Sequence, residues 1–389
     1  MNATVIGAYG EWVDALVGAN DPGLLSYRRK EFGNVEAWRK QALAKMVECL
    51  ALPDSGGPPK VTVIGKNAVD GVEAEILQWR LPHGPPTDAV FLKPAGAKGK
   101  LPGVVALHDH GGNKFFGRQK ISDDGRPLHP VMVEHRRICY SGLAWANELA
   151  RRGYAVLCHD TSPFGSRRVR LADVPAFLRW HQGRELTDPG EDPATADAEQ
   201  IASYNGWASL HETVWAKTLC SADTSWPALF LSDDMRAVDV LCARPEVDAA
   251  RVGCGGLSGG GLRTVYLAGL DPRIQAAVCV GMMTTWRDYA LYKPAHHTWM
   301  VWTPGIAKYL DYPEILGLRL PKPTLVMSDN DDDLFTLSEM HRADDMLREI
   351  YDKAGASDRY VGKFYPGPHK FDAEMQTQAW AWLDKWLKG

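Results

Sequence analysis

The chain has 389 residues, 45% of them apolar and 24% charged, which is the balance of an ordinary globular protein and excludes a disordered or fibrous one. A formal net charge of -4, with acidic and basic residues interspersed, leaves no electrostatic footprint for nucleic acid, so a small-molecule partner is expected. The opening MNATVIGAYGEWVDALVGAN lacks a basic segment followed by an apolar core, and no run of roughly 18 uncharged apolar residues occurs. Neither a signal peptide nor a membrane contact is expected, and the location that follows is cytoplasmic.

The stretch before residue 60 looks helical. Val35, Trp38, Ala42, Met46 and Leu50 recur at near-helical spacing before a stop at Pro53 and the run SGGPPK, which reads as a boundary. Strand-like segments follow at 60–64, 72–80, 89–93 and 103–108, and the last two are joined by the turn-rich AGAKGKLP, which predicts an antiparallel start. Strands then alternate with helices, the pattern of a mostly parallel sheet covered on both faces. Helices are expected at 141–152, 229–244 and 371–387, and strands at 154–158, 251–254, 274–280, 324–327 and 360–364. The division expected is an N-terminal helical extension over 1–59 and an α/β domain over 60–389. Residues 161–227 and 283–310 break the alternation and read as cap or pocket-wall insertions, because loops of such length in a compact domain are usually functional.

Seven cysteines lie singly, without CxxC spacing, and suit reduced, buried thiols. With no paired Cys or His ligands at finger spacing, no metal is expected. His108 and His110 stand at alternate positions after a strand, but no third ligand accompanies them.

At the end of the strand at 251–254 comes GGLSGGG, in which Gly256, Ser258 and Gly260 satisfy G-x-S-x-G, followed by the helical LRTVYLAGL. A serine on a sharp strand-to-helix turn needs small neighbours, and the turn aims amide hydrogens of the new helix, here that of Gly259, at a developing oxyanion. The same glycines begin a dinucleotide pattern at Gly253 and Gly255. That pattern's third position is Ser258, and no acid follows about twenty residues on, so it is set aside.

A serine hydroxyl is a weak nucleophile until an imidazole takes its proton, and a third group must fix the imidazole's tautomer. The chain order on such sheets is serine, acid, histidine. Of the two histidines well downstream, His341 lies in a helical run, whereas His369 lies in the loop YPGPHKF, so His369 is the expected base. The acid should fall in SDNDDDLF. Asp332 is favoured, with Asp331 and Asp333 as alternatives. A calcium loop counted from Asp329 fails, with Leu334 in place of the glycine and Met340 in place of the glutamate. The second oxyanion donor is expected in DHGGNKFFG, with the Gly112 amide favoured over Gly111. His110, Trp286 and Trp299 are candidate substrate contacts; core packing or contact within a homo-oligomer is the other reading of the aromatics between 283 and 310.

The runs HDHGG, DDMRAVDVLCARPEVDAARVGCGGLSGG, PKPTLVMSDNDDDLF and PGPHKFD resemble the dienelactone hydrolase and acetyl xylan esterase branch of the α/β-hydrolase superfamily, roughly from Leu101 to Lys388. The resemblance implies the α/β-hydrolase fold, no cofactor, and Ser258, Asp332 and His369 in the nucleophile, acid and base positions. Two departures matter. Dienelactone hydrolases proper carry a cysteine nucleophile, so Ser258 points to an esterase, and a glycine usual three places before the acid is Asp329 here. The expected activity is cleavage of carboxylic esters, among them acetyl or sugar esters, through an acyl-enzyme. The alternatives are a peptidase of related fold or a small-molecule receptor.

Overall fold

A computed structural model describes residues 4–190 and 195–389. Helices α1 (Gly10–Ala19) and α2 (Val35–Leu50) come first, and Asn34 caps α2 through the Ala37 amide. Strands β1 (Thr62–Val69), β2 (Val72–Trp79) and β3 (Thr87–Pro94) form an antiparallel meander. Then come β4 (Leu101–Ala106), α3 (Pro130–Tyr140), α4 (Trp145–Arg151) and β5 (Ala155–His159). The first insertion holds a small hairpin, β6 (Trp180–His181) with β7 (Arg184–Glu185), and the long helix α5 (Ala198–Ser221). The remainder is α6 (Trp226–Cys242), β8 (Val247–Leu257), α7 (Gly259–Leu270), β9 (Ile274–Val280), α8 (Tyr312–Gly317), β10 (Thr324–Asp329), α9 (Leu337–Lys353), β11 (Tyr360–Tyr365) and α10 (Ala373–Leu387).

Nine strands make one sheet in the order β1-β2-β3-β5-β4-β8-β9-β10-β11, antiparallel as far as β5 and parallel from there on. Successive residues of a strand face opposite sides. Phe91, Val105 and Leu157 accordingly join the core under α2, α6, α7 and α9, while Val90, Val104 and Val156 join the core under α4 and α10. The chain leaves β4 toward β5 on one side and returns through α6 to β8 on the other. That reversal opens a crevice past the carboxyl ends of β4 and β8, where ligands of open α/β sheets bind.

The expected strands are all present, several longer than read. Three helices were not foreseen: α3, α5 and α8. The buried positions of α3 are Met132, Arg136 and Tyr140, while Val133 and Ile138 face solvent, so its apolar pattern runs against its actual burial. Among the described residues no helix is long and apolar enough to cross a membrane, and no group of His, Cys, Asp or Glu side chains converges as a metal site. All seven cysteines are free.

Candidate active site

Ser258 is the single residue between β8 and α7, at φ 57° and ψ -120°. A non-glycine residue at positive φ is strained, and the strain is held by the Ser258 N-H donating to the Val280 carbonyl (2.9 Å) and the Leu262 N-H donating to the Ser258 carbonyl (2.8 Å). The flanking glycines are required by close approach: a Cβ at Gly256 or Gly260 would stand 2.2 or 2.1 Å from the Leu107 carbonyl oxygen.

His369 sits in the loop between β11 and α10, its Nδ1 2.6 Å from Asp332 Oδ2. A carboxylate at that distance accepts a hydrogen bond from Nδ1-H, which fixes that tautomer and leaves the Nε2 lone pair available. Nε2 is buried and has no hydrogen-bond partner among the described residues. Asp332 is itself buried, and its other oxygen accepts the Leu334 amide (3.0 Å). Asp331 turns away to accept the Gly367 amide (2.8 Å), and both Asp331 and Asp333 are exposed. Asp329, at the end of β10, accepts the Lys370 amide (3.1 Å) through one oxygen and buries the other; burial pushes its carboxyl up to about 7.

A cleft of about 400 Å³ brings Ser258, Gly259, His369, His110, Gly111 and Gly112 into one wall set, and both insertions contribute to it, α5 with Ser209 and Glu212, the other with residues 295–298. His110 accepts the Gly112 amide at Nδ1 (3.1 Å) and so donates from Nε2 to Glu212 Oε1 (2.7 Å). Burial, and then the Lys114 charge, hold the His110 ring down to about 4, so it is neutral. Glu212 also accepts from the Lys114 ammonium, the Thr298 hydroxyl (2.7 Å) and the Trp299 amide (3.3 Å). Burial alone would raise its carboxyl, but His110 and Lys114 outweigh that and hold it at about 2. One carboxylate thus ties three segments around the cleft.

Three of the expected site residues are engaged elsewhere or lie off the cleft wall. The Gly112 N-H donates to His110 Nδ1 (3.1 Å). The main-chain nitrogen of His110 instead lies 2.7 Å from where a Cβ of residue 259 would stand, next to the other expected donor. Trp286 lies outside the cleft: its indole donates to the Leu310 carbonyl (3.1 Å) and its ring packs against Tyr289 and Tyr312 in the core. Trp299 is 46% exposed and is not part of the cleft wall.

Glu212, Asp109 and Lys120 were not singled out in the sequence. For Glu212 a signal existed: Ile201, Tyr204, Ala208, Glu212 and Ala216 fall on one buried helical stripe, and an acid on such a stripe needs a partner. For Lys120, in the irregular stretch after β4, we find no periodic signal.

No family model matches the chain. "Putative hydrolase YtaP" of Bacillus subtilis (strain 168) is 25% identical over 302 residues, covering 77% of this chain and 83% of that protein. A solved structure described as a "putative acetyl xylan esterase" from Bacteroides fragilis matches with a TM-score of 0.64 at 17% identity, covering 93% of this chain and 83% of that one. A glucuronoyl esterase from Solibacter usitatus matches with a TM-score of 0.62 at 16% identity, covering 93% and 97%. The strand order, the strained turn between β8 and α7, and these likenesses together establish that the chain has the α/β-hydrolase fold.

Proposed function

We propose that the protein hydrolyses carboxylic esters through an acyl-enzyme, with Ser258 as nucleophile, His369 as general base and Asp332 orienting the imidazole. The observation that carries this reading is His369, which lines the same cleft as the strained Ser258 with Nδ1 engaged by Asp332 and a buried Nε2 that has no hydrogen-bond partner among the described residues. Ser258 Oγ attacks the ester carbonyl as Nε2 takes its proton; collapse of the tetrahedral intermediate expels the alcohol, protonated by the same imidazole. Water then repeats the sequence and releases the acid. The Gly259 amide, at the first turn of α7, and the His110 amide beside it supply the oxyanion donors.

Acetyl or sugar esters are the substrate class favoured. Glu212, His110, Thr298 and Ser209 give the cleft hydrogen-bonding walls, and the solved structures of like fold include proteins named as acetyl xylan and glucuronoyl esterases. A fluorophosphonate probe should label Ser258, located by peptide mass spectrometry, and Ser258→Ala should lower turnover of p-nitrophenyl acetate by about 10³-fold or more while the thermal melt is retained. A folded protein that takes no label, or an alanine variant with full turnover, removes this reading. A panel of acetyl, longer-acyl and methyl uronate esters then separates acyl from sugar preference by kcat/KM.

A further inference from the structure

We infer that Lys120 is a positioning residue of the oxyanion hole, its ammonium holding the carbonyls of Asp109 and His110 so that the amide hydrogens of His110 and Gly111 face the Ser258 side of the loop. The inference rests on the esterase reading above.

Lys120 closes a single 3-10 turn (Arg118–Lys120) behind the loop that follows β4, and it is fully buried. Its Nζ donates to the Asp109 carbonyl and to the His110 carbonyl, each at 2.8 Å. The Asp109 carbonyl is held a second time, by His108 Nδ1 at 2.9 Å. In a trans peptide the C=O and the following N-H point in opposite directions. Two successive carbonyls drawn to one cation therefore send the His110 and Gly111 hydrogens to the other side, and successive N-H groups aimed one way form an anion cradle. Gly259 lies against this stretch of the loop: a Cβ on it would stand 2.7 Å from the His110 nitrogen. Gly111 and Gly112, at φ 52° and 63°, let the chain turn directly afterwards, and the Asn113 amide closes the turn on the His110 carbonyl (3.1 Å).

Packing alone does not explain a cation here. A buried ammonium carries a desolvation cost that a methionine of similar length would avoid. Its carboxylate neighbour, Asp109 Oδ2, is 3.8 Å away, beyond hydrogen-bond distance, while Tyr140 and His135 donate to the other oxygen, Oδ1; the two carbonyls are therefore the groups the ammonium actually holds. What the charge does supply is polarisation: a cation on the oxygen side of an amide makes its N-H a stronger donor, in chains of hydrogen bonds that strengthen one another. The Phe164 ring face, 4.9 Å from Nζ, closes the site from the remaining direction. The charged and titratable groups facing the ammonium are Asp109, Lys114, Cys139 of α3 and Asp160 beyond β5, with the His108 and His110 rings also within its field. Burial dominates, with Lys114 adding to it against Asp109, and the ammonium is lowered to about 8. It is charged at neutral pH and loses its proton in the mildly alkaline range.

The test compares Lys120→Gln, Lys120→Met and Lys120→Arg with wild type on p-nitrophenyl acetate. Lys120→Gln and Lys120→Met should lower kcat at pH 7 by about tenfold to a hundredfold, less than the loss of a donor outright, with KM within about twofold. Affinity for a trifluoromethyl ketone, which forms a tetrahedral oxyanion, should fall in step with kcat, while inhibition by the acid product should not change. Wild-type kcat should decline above pH 8, and Lys120→Arg should recover part of the rate and carry that decline beyond pH 10. A kcat within twofold of wild type in Lys120→Gln and Lys120→Met overturns the inference while leaving the esterase intact. If neither variant folds by circular dichroism, a wild-type kcat that stays flat from pH 7 to 10 overturns it. A wild type with neither turnover nor probe adduct brings down the esterase reading instead.

Discussion

Asp329 ends β10, two residues before Asp331 and three before Asp332, where the family resemblance leads one to expect glycine. The side chain that replaces that glycine is buried at the foot of the His369 loop, with one oxygen on the Lys370 amide and the other unpartnered. Burial raises its carboxyl from the ordinary range to about 7, so the folded protein binds a proton there that the unfolded chain has already lost. The sign follows from linkage: this group's contribution to stability is complete below the unfolded carboxyl pKa and is lost as pH rises through about 7. Asp329→Asn, neutral at every pH and still able to accept the Lys370 amide, should gain in Tm over wild type between pH 5 and pH 8.5. Scanning calorimetry at those two pH values checks it, and a constant difference would contradict it. At the same scale the sequence was informative where chemistry is local: Ser258 and His369 stood out by turn composition and chain order. Asp332 could not be separated from its neighbours, because the direction of a side chain in a turn depends on backbone contacts such as the Gly367 amide that holds Asp331. The Gly112 amide was favoured over that of Gly111 on glycine content alone, and the structure has it donating to His110 Nδ1. Glycine content marks where a backbone can bend, whereas the direction of an N-H is fixed by what binds the carbonyl behind it, and Lys120 is ten residues further on.

Elements whose burial follows their apolar pattern were legible, whereas α3 and α5, whose inward faces carry Arg136 and Glu212, were not. Strand β9 was read to its full extent, Ile274–Val280, because six of its seven residues are buried and all but Gln275 are apolar. Helix α5 was hidden inside the first insertion because its inward face carries Glu212. That carboxylate is nevertheless what fixes the helix against the loop after β4 and the segment at 298–299. Removing one partner of a buried ion pair leaves the other charge unsatisfied, so Glu212→Ala, which strands the buried Lys114, should cost about 3–5 kcal/mol of unfolding free energy by urea titration. Replacing both by apolar residues, Glu212→Leu with Lys114→Met, should return most of that loss, since the double change strands neither charge. Additive losses in the double variant would mean that the pair is not the reason for the effect. The aromatic residues of the second insertion left two readings open, substrate contact and packing. A cluster of Trp and Tyr can be a binding wall or core, and Trp286 and Tyr289 are buried in the core.

At the scale of the whole molecule, the run SGGPPK suggested a boundary between a helical extension and the sheet, and the packing argues for a different partition. Trp38, Ala42, Met46 and Leu50, one face of α2, are all fully buried and belong to the same core cluster as α6, α7, α8 and α9. Polar contacts cross the supposed boundary as well: Arg39 donates to the Leu318 carbonyl (2.7 Å), Ser225 to that of Leu50 (3.1 Å) and Thr224 to that of Ala51 (2.8 Å). Independent domains meet through surfaces that each could expose to water, whereas this face of α2 supplies core volume that nothing else fills. Trp38→Ala alone should then cost about 3–5 kcal/mol, as truncation of a large buried aromatic does. A chain of residues 60–389 should lose that whole face at once, exceeding the total stability of a typical domain. The expected result is that 60–389 shows no near-ultraviolet circular dichroism and no cooperative melt, and takes no fluorophosphonate label under conditions where the full chain does. A truncated protein that melts cooperatively near the full-length Tm would establish α1 and α2 as a dispensable attachment and return the boundary to residue 59.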